Sequence, residues 1–188
     1  MITTDRLILR PWLERDLDAY AAICADPVVM EYFPKPLTRD ETEAMLMRFN
    51  RAFDESGITF WAMIHRETDT CIGHTGLLPH DITEADGPGV EVGWRMGHAH
   101  WGQGYATEAA RASLSFGFNE KGYDEIVAFV VPDNIRSQAV MLRLGMTRNP
   151  DDDFGHPNVK DGDRLKRHQL YRLPKTRWKA QQADSPTL

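Results

Sequence analysis

The chain has 188 residues, of which 41% are hydrophobic and 27% charged, and a formal net charge of -6. That composition suits one soluble globular domain with a sizeable core, and the acidic balance argues against nucleic-acid binding, which needs a basic face. No apolar run reaches the roughly 18 residues of a membrane span, and the two cysteines, Cys24 and Cys71, have neither disulfide-framework nor metal-ligand spacing.

The start, MITTDRLILRPW, carries Asp5 and Arg6 and no apolar core of leader length, so a cytoplasmic protein is expected. Leu7 to Leu9 read as a first strand, closed by Pro11. Leu13, Leu17, Tyr20, Ala21 and Cys24 fall at helical spacing, and Asp26-Pro27 ends that helix. Thr38 and Glu41 form a capping box ahead of a second helix with Met45, Phe49, Ala52 and Phe53 on one face. Three strands follow, from Ile58, Thr70 and Val90. In the last, alternation puts Val90, Val92, Trp94 and Met96 on one face and Glu91 and Arg95 on the other.

After Gly102 and Gly104, the recurrence of Ala106, Ala110, Leu114 and Phe118 predicts a helix, and EIVAFVV predicts a strand buried on both faces. Asn134 caps a short helix that Gly145 ends, and a polar loop from Asn149 to Asp163 precedes a last strand, RHQLYRL. These elements predict an α/β (α+β) layered fold in one domain over residues 1–178, with residues 179–188 as a disordered tail.

The turn between strand and helix, Trp101-Gly102-Gln103-Gly104-Tyr105-Ala106, carries the chemistry. A helix start leaves backbone N–H groups unpaired, and glycines before it let an anion approach them. No Lys-Ser/Thr follows, so this is not a P-loop, and a third glycine for a dinucleotide fingerprint is missing. The residues alone leave two readings, a tight strand–helix connection or a cradle for a phosphate or pyrophosphate.

WGQGYATEA resembles the first cofactor motif of the GNAT acetyltransferases, in the wording typical of the ribosomal-protein N-terminal acetyltransferases. NIRSQAVMLRLGM resembles the family's second motif, and TDRLILRPW and HPNVKDGDRLKRHQLYRL also resemble that branch. The resemblance implies the GNAT fold: a mixed, mostly antiparallel seven-stranded sheet splayed between its strands 4 and 5, with helices on both faces. It implies acetyl-CoA as cosubstrate, no metal, and an amine acceptor, either a protein N-terminus or a small molecule, with no nucleic-acid or membrane partner. Homodimers are common in the branch. By position, Met96, Trp101, Gly102, Gln103, Gly104, Tyr105, Ala106, Thr107, Asn134 and Ser137 would contact the cofactor.

Acetyl transfer to an alkyl ammonium, with a pKa of about 10, needs a base. Glu91 is the candidate; its plain alternative is a strand glutamate solvated or paired with Arg95. Many relatives place an acid tyrosine where this chain has Met141, which cannot donate a proton, so Ser137, one helical turn earlier, is the candidate acid. Tyr32, Phe33, Trp61, His74 and His156 are candidates for the acceptor pocket, each with core packing as the alternative. A second class of function is a catalytically silent coenzyme A-binding domain acting as sensor or scaffold.

Overall fold

The computed structural model describes residues 1–81 and 89–183. Its elements are β1 (Ile2–Thr3), β2 (Leu7–Arg10), α1 (Leu17–Ala25), α2 (Arg39–Ser56), β3 (Phe60–His65), β4 (Thr70–His80), β5 (Gly89–Met96), α3 (Tyr105–Asn119), β6 (Glu125–Val130), α4 (Ile135–Arg143), β7 (Thr147–Arg148), β8 (Phe154–Gly155), β9 (Arg167–Pro174) and α5 (Lys175–Ala183). The fold is mixed α/β, mainly antiparallel with, among the described residues, one parallel strand pair. The chain divides into two compact units. One comprises Met1–Leu78 with Gly93–Ser113, the other Pro79–Val92 with Leu114–Leu188. The strands β4 and β5 contribute residues to both.

In the first unit β1, β2, β3 and β4 pair antiparallel in that order. The cluster behind β3 and β4 is built by Leu17, Tyr20 and Cys24 of α1 and Met45, Leu46 and Phe49 of α2, packed with Trp12, Ala62, Ile64 and Cys71. The second of these helices starts as the sequence dictates. Thr38 and Glu41 cap α2 reciprocally, Glu41 N–H donating to Thr38 Oγ1 at 3.2 Å and Thr38 N–H to Glu41 Oε2 at 2.9 Å. Gly57, at φ 70°, closes it in the left-handed conformation. Leu13 departs from its expected place on the helical face. It is 46% exposed, because a 3-10 turn, Glu14–Asp16, precedes α1 and turns Leu13 outward. The turn is fixed by Asp16, which takes a fork of bonds from Arg10 at 2.6 and 2.9 Å.

In the second unit β5 and β6 run parallel, joined by a single register pair, Glu91 with Val127. Next to them β9 pairs antiparallel with β6 through six register pairs, from Glu125–Pro174 to Val130–Gln169. Ile126, Val127, Ala128 and Val130 are buried, as the apolar run predicted. The last helix, α5, continues to Ala183, so residues 179–183, expected as tail, are helical. The reason lies in its contacts. Trp178 is buried and stacks on Phe118 at 5.5 Å, and Arg177 Nε donates to Gly145 O at 2.7 Å. Residues 184–188 lie outside the described residues.

Candidate active site

The glycine turn belongs to the first unit. Gly102 and Gly104 have φ of 75° and 83°, a region that side-chain-bearing residues enter at a steric cost. A Cβ on Gly102 would meet nothing within 4 Å, so this glycine opens the backbone outward rather than relieving a clash. The first helical bond of α3 is Glu108 N–H to Gly104 O at 3.0 Å. The amides of residues 105–107 thus form the unpaired, partly positive start of a 15-residue helix.

A clamp holds the turn. Glu108 accepts from Thr4 Oγ1 at 2.6 Å, from Arg6 N–H at 3.0 Å and from Arg6 Nε at 2.7 Å. Arg6 Nη1 donates to Gln103 O at 2.9 Å, inside the turn, and the guanidinium lies 4.4 Å over the Tyr105 ring. Burial alone would raise the Glu108 carboxyl, but the bonds from Thr4 and Arg6 outweigh it and hold it below the usual carboxylate range. Tyr105 is buried and its hydroxyl bonds His65 Nε2 at 3.0 Å. On the strand side, Trp101 Nε1 donates to Met96 O at 2.8 Å, and Gln103 Nε2 donates to Ala99 O at 3.1 Å. Ala106 and Thr107 are half-buried in the first turn of α3.

The same unit holds four of the five acceptor-side candidates. His74, on β4, is buried, bonded through Nδ1 to the Tyr20 hydroxyl and stacked on Phe60 at 5.0 Å. Burial, then the nearby Arg95 charge, pushes it well below the ordinary histidine value, so it is a neutral packing residue. Trp61 is 2% exposed and belongs to the interior. Tyr32 and Phe33 are half-buried between α1 and α2, and Phe33 carries the Arg95 guanidinium 4.1 Å from its ring centre.

In the second unit, Glu91 sits at the β5–β6 register pair. It is half-buried as a residue, yet its carboxyl is withdrawn from water far enough that burial raises it to about 8. No cation compensates it among the described residues, so the alternative of pairing with Arg95 does not hold. Asn134 Oδ1 accepts Ser137 N–H at 3.1 Å and caps α4. Ser137 is half-buried, and its hydroxyl makes no hydrogen bond among the described residues. Met141, one turn on, is 2% exposed. His156 joins a ring cluster with Phe129, Phe154 and His168. Its ring lies 5.0 Å from His168 and 6.5 Å from Phe154. Burial lowers both imidazoles, His168 to about 4.

A family profile described as "Acetyltransferase (GNAT) domain" matches residues 6–147. The chain belongs to the GNAT acetyltransferase family. An uncharacterised Bacillus subtilis protein is 32% identical over 77% of this chain and 84% of its own length. An Aspergillus fumigatus protein named FsC-acetyl coenzyme A-N(2)-transacetylase is 28% identical over 98% of this chain and 80% of its own. The crystal structure of a GNAT-family acetyltransferase from Bacillus anthracis superposes with a TM-score of 0.76 at 26% identity, covering 93% of this chain and 98% of that one.

GNAT enzymes use acetyl-CoA, and the turn fits the pyrophosphate of that molecule. It offers left-handed glycines, open space over Gly102 and the free amides of a long helix. Thr4, Arg6 and Glu108 escaped the site prediction, although all three lie within stretches that carry the GNAT resemblance. Motif reading weighs the residues that touch a ligand and passes over those that hold the loop. The surroundings of Arg95 and Tyr20 were hidden from sequence reading for another reason. Their partners, Cys24, Phe33 and His74, are far off in sequence, and no local pattern joins them.

Proposed function

We propose that this protein moves an acetyl group from acetyl-CoA to the primary amine of a protein N-terminus or a small molecule. We further propose that it acts as one cytoplasmic GNAT domain that extends through α5 to Ala183, in the branch of the ribosomal-protein N-terminal acetyltransferases. The observation that carries the reading is the turn at Gly102 and Gly104, whose left-handed backbone opens onto the unpaired amides of α3. There residues 102–107 bind the pyrophosphate by backbone, with Arg6 and Glu108 keeping the turn in shape. Acetyl-CoA, when bound, supplies a thioester that an amine attacks directly in a ternary complex.

Glu91 is the base. A general base takes a proton most effectively when its pKa lies near the working pH, and burial raises this carboxyl to about 8. Ser137, with a hydroxyl committed to no other bond, donates to the leaving thiolate, a task Met141 cannot perform. Asn134 orients the pantetheine arm and fixes the start of the Ser137 helix. The test is incubation with acetyl-CoA and a panel of peptides and small amines, read by the mass gain of one acetyl group. Acetylated product is expected. Acetyl-CoA at a hundredfold excess over its Kd should also stabilise the fold by about 2.7 kcal/mol. No product and no stabilisation would overturn the reading.

A further inference from the structure

Arg95 is a cation set where cations are expensive. It leaves β5 toward α1, where its Nη1 donates to Cys24 Sγ at 3.3 Å, and its guanidinium lies 4.1 Å over Phe33. Its Nε is buried and has no hydrogen-bond partner among the described residues. Around it stand Tyr20, fully buried, and His74, bonded to each other and packed against Trp12, Phe49 and Phe60. Burial keeps the tyrosine and the histidine neutral. Among the described residues no carboxylate forms an ion pair with Arg95, while Arg6, Arg10 and Arg148 each have one.

A charge withdrawn from water without a counter-ion is strongly unfavourable, and a guanidinium edge with a free N–H matches a planar carboxylate in shape and charge. The residue remains partly exposed, as does Phe33, so a ligand has a way in. We infer that Arg95, laid on Phe33 and backed by Tyr20, recognises a carboxylate on the acceptor, so that the substrate class is an amine that also carries a carboxylate group. This inference rests on the acetyltransferase reading for its context, but the recognition itself needs no turnover.

Binding therefore tests it without catalysis. Ligand-observed NMR would compare a set of N-acetylated amino acids with the matching carboxamides, on the full chain. The carboxylates should bind about tenfold or more tighter than their amides, as expected for one charge-assisted pair. Arg95→Met should erase that preference, and Arg95→Lys should keep part of it. Saturating coenzyme A should leave carboxylate binding in place. Equal affinity for acids and amides in the wild type, an acid preference that survives Arg95→Met, or displacement of the acids by coenzyme A would each overturn the inference. An active acetyltransferase indifferent to the acceptor's carboxylate would sink this inference alone. Carboxylate binding without acetyl transfer would sink only the enzymatic reading.

Discussion

The first unit contains two regions that we propose receive anions, and they are built in opposite ways. The turn at residues 102–107 uses backbone: two left-handed glycines and a helix start, with its charged residues on the outside holding the loop. The Arg95 cluster uses side chains gathered from α1, the segment after it, β4 and β5, and sinks one charge among rings. A backbone site is common to every molecule that bears a phosphate, so it suits a donor shared by many enzymes. A side-chain site is particular, and particularity is what an acceptor demands.

Changes at the two regions should therefore differ in kind. The largest effect is expected at the turn. Gly104→Val forces a β-branched residue into φ 83° with its Cβ 3.4 Å from Arg6 Nη2, and should weaken coenzyme A binding by about a hundredfold or more in calorimetry. Retained affinity would mean that the turn does not carry the phosphates.

Next in size is Glu91→Gln, which should lower kcat by about 10² to 10⁴ while leaving coenzyme A affinity unchanged. In the wild type the rate should rise with pH through about 8 as Glu91 ionises, and the variant should lose that limb. Stability runs the other way. Between the ordinary 4.5 and about 8 the unfolded chain has released a proton that the folded chain keeps, so wild-type stability falls as pH rises through that window. Glu91→Gln should melt progressively higher than wild type as pH rises to 8. Parallel melting curves for the two proteins across that range would return Glu91 to an ordinary strand residue.

A smaller effect is expected from Glu108→Gln. It keeps the shape but removes the charge that Arg6 holds, and should weaken coenzyme A about three- to tenfold, an effect that shrinks with salt because Arg6 is 44% exposed. Loss as large as at Gly104 would make the clamp a direct ligand rather than a brace. The smallest change lies outside the comparison, in the ring cluster of the second unit. His168 is depressed from 6.5 to about 4, so its contribution to stability is whole above pH 6.5 and is lost as pH falls through 4. His168→Gln should flatten that decline in an acid-melting series.

What could be read from the sequence follows the same division. The capping box at Thr38, the cap at Asn134, the left-handed glycines and the buried strand Glu125–Val130 are local rules in a local stretch, and each stands where the pattern put it. Leu13 misled because helical spacing does not distinguish an α-helix from the 3-10 turn that enters it. The stretch after residue 178 misled because its composition is that of a tail, while its order comes from Trp178 and from the bond to Gly145. Trp61 and His74 were drawn to the acceptor side by their chemistry. Their burial is a property of the assembled sheet, which no window of sequence contains.

The bond from the Trp101 indole to the Met96 carbonyl has an optical consequence. Of the five tryptophans, Trp12, Trp61 and Trp178 are sealed from solvent, whereas Trp94 and Trp101 are partly exposed, and of these two it is Trp101 that stands beside Gly102, with the His98 ring 4.7 Å away. An indole whose N–H is held by a carbonyl emits according to that bond and to its contact with water. Any molecule that settles on the turn changes both, so the protein carries its own fluorescent gauge of occupancy, with no dye and no label to attach.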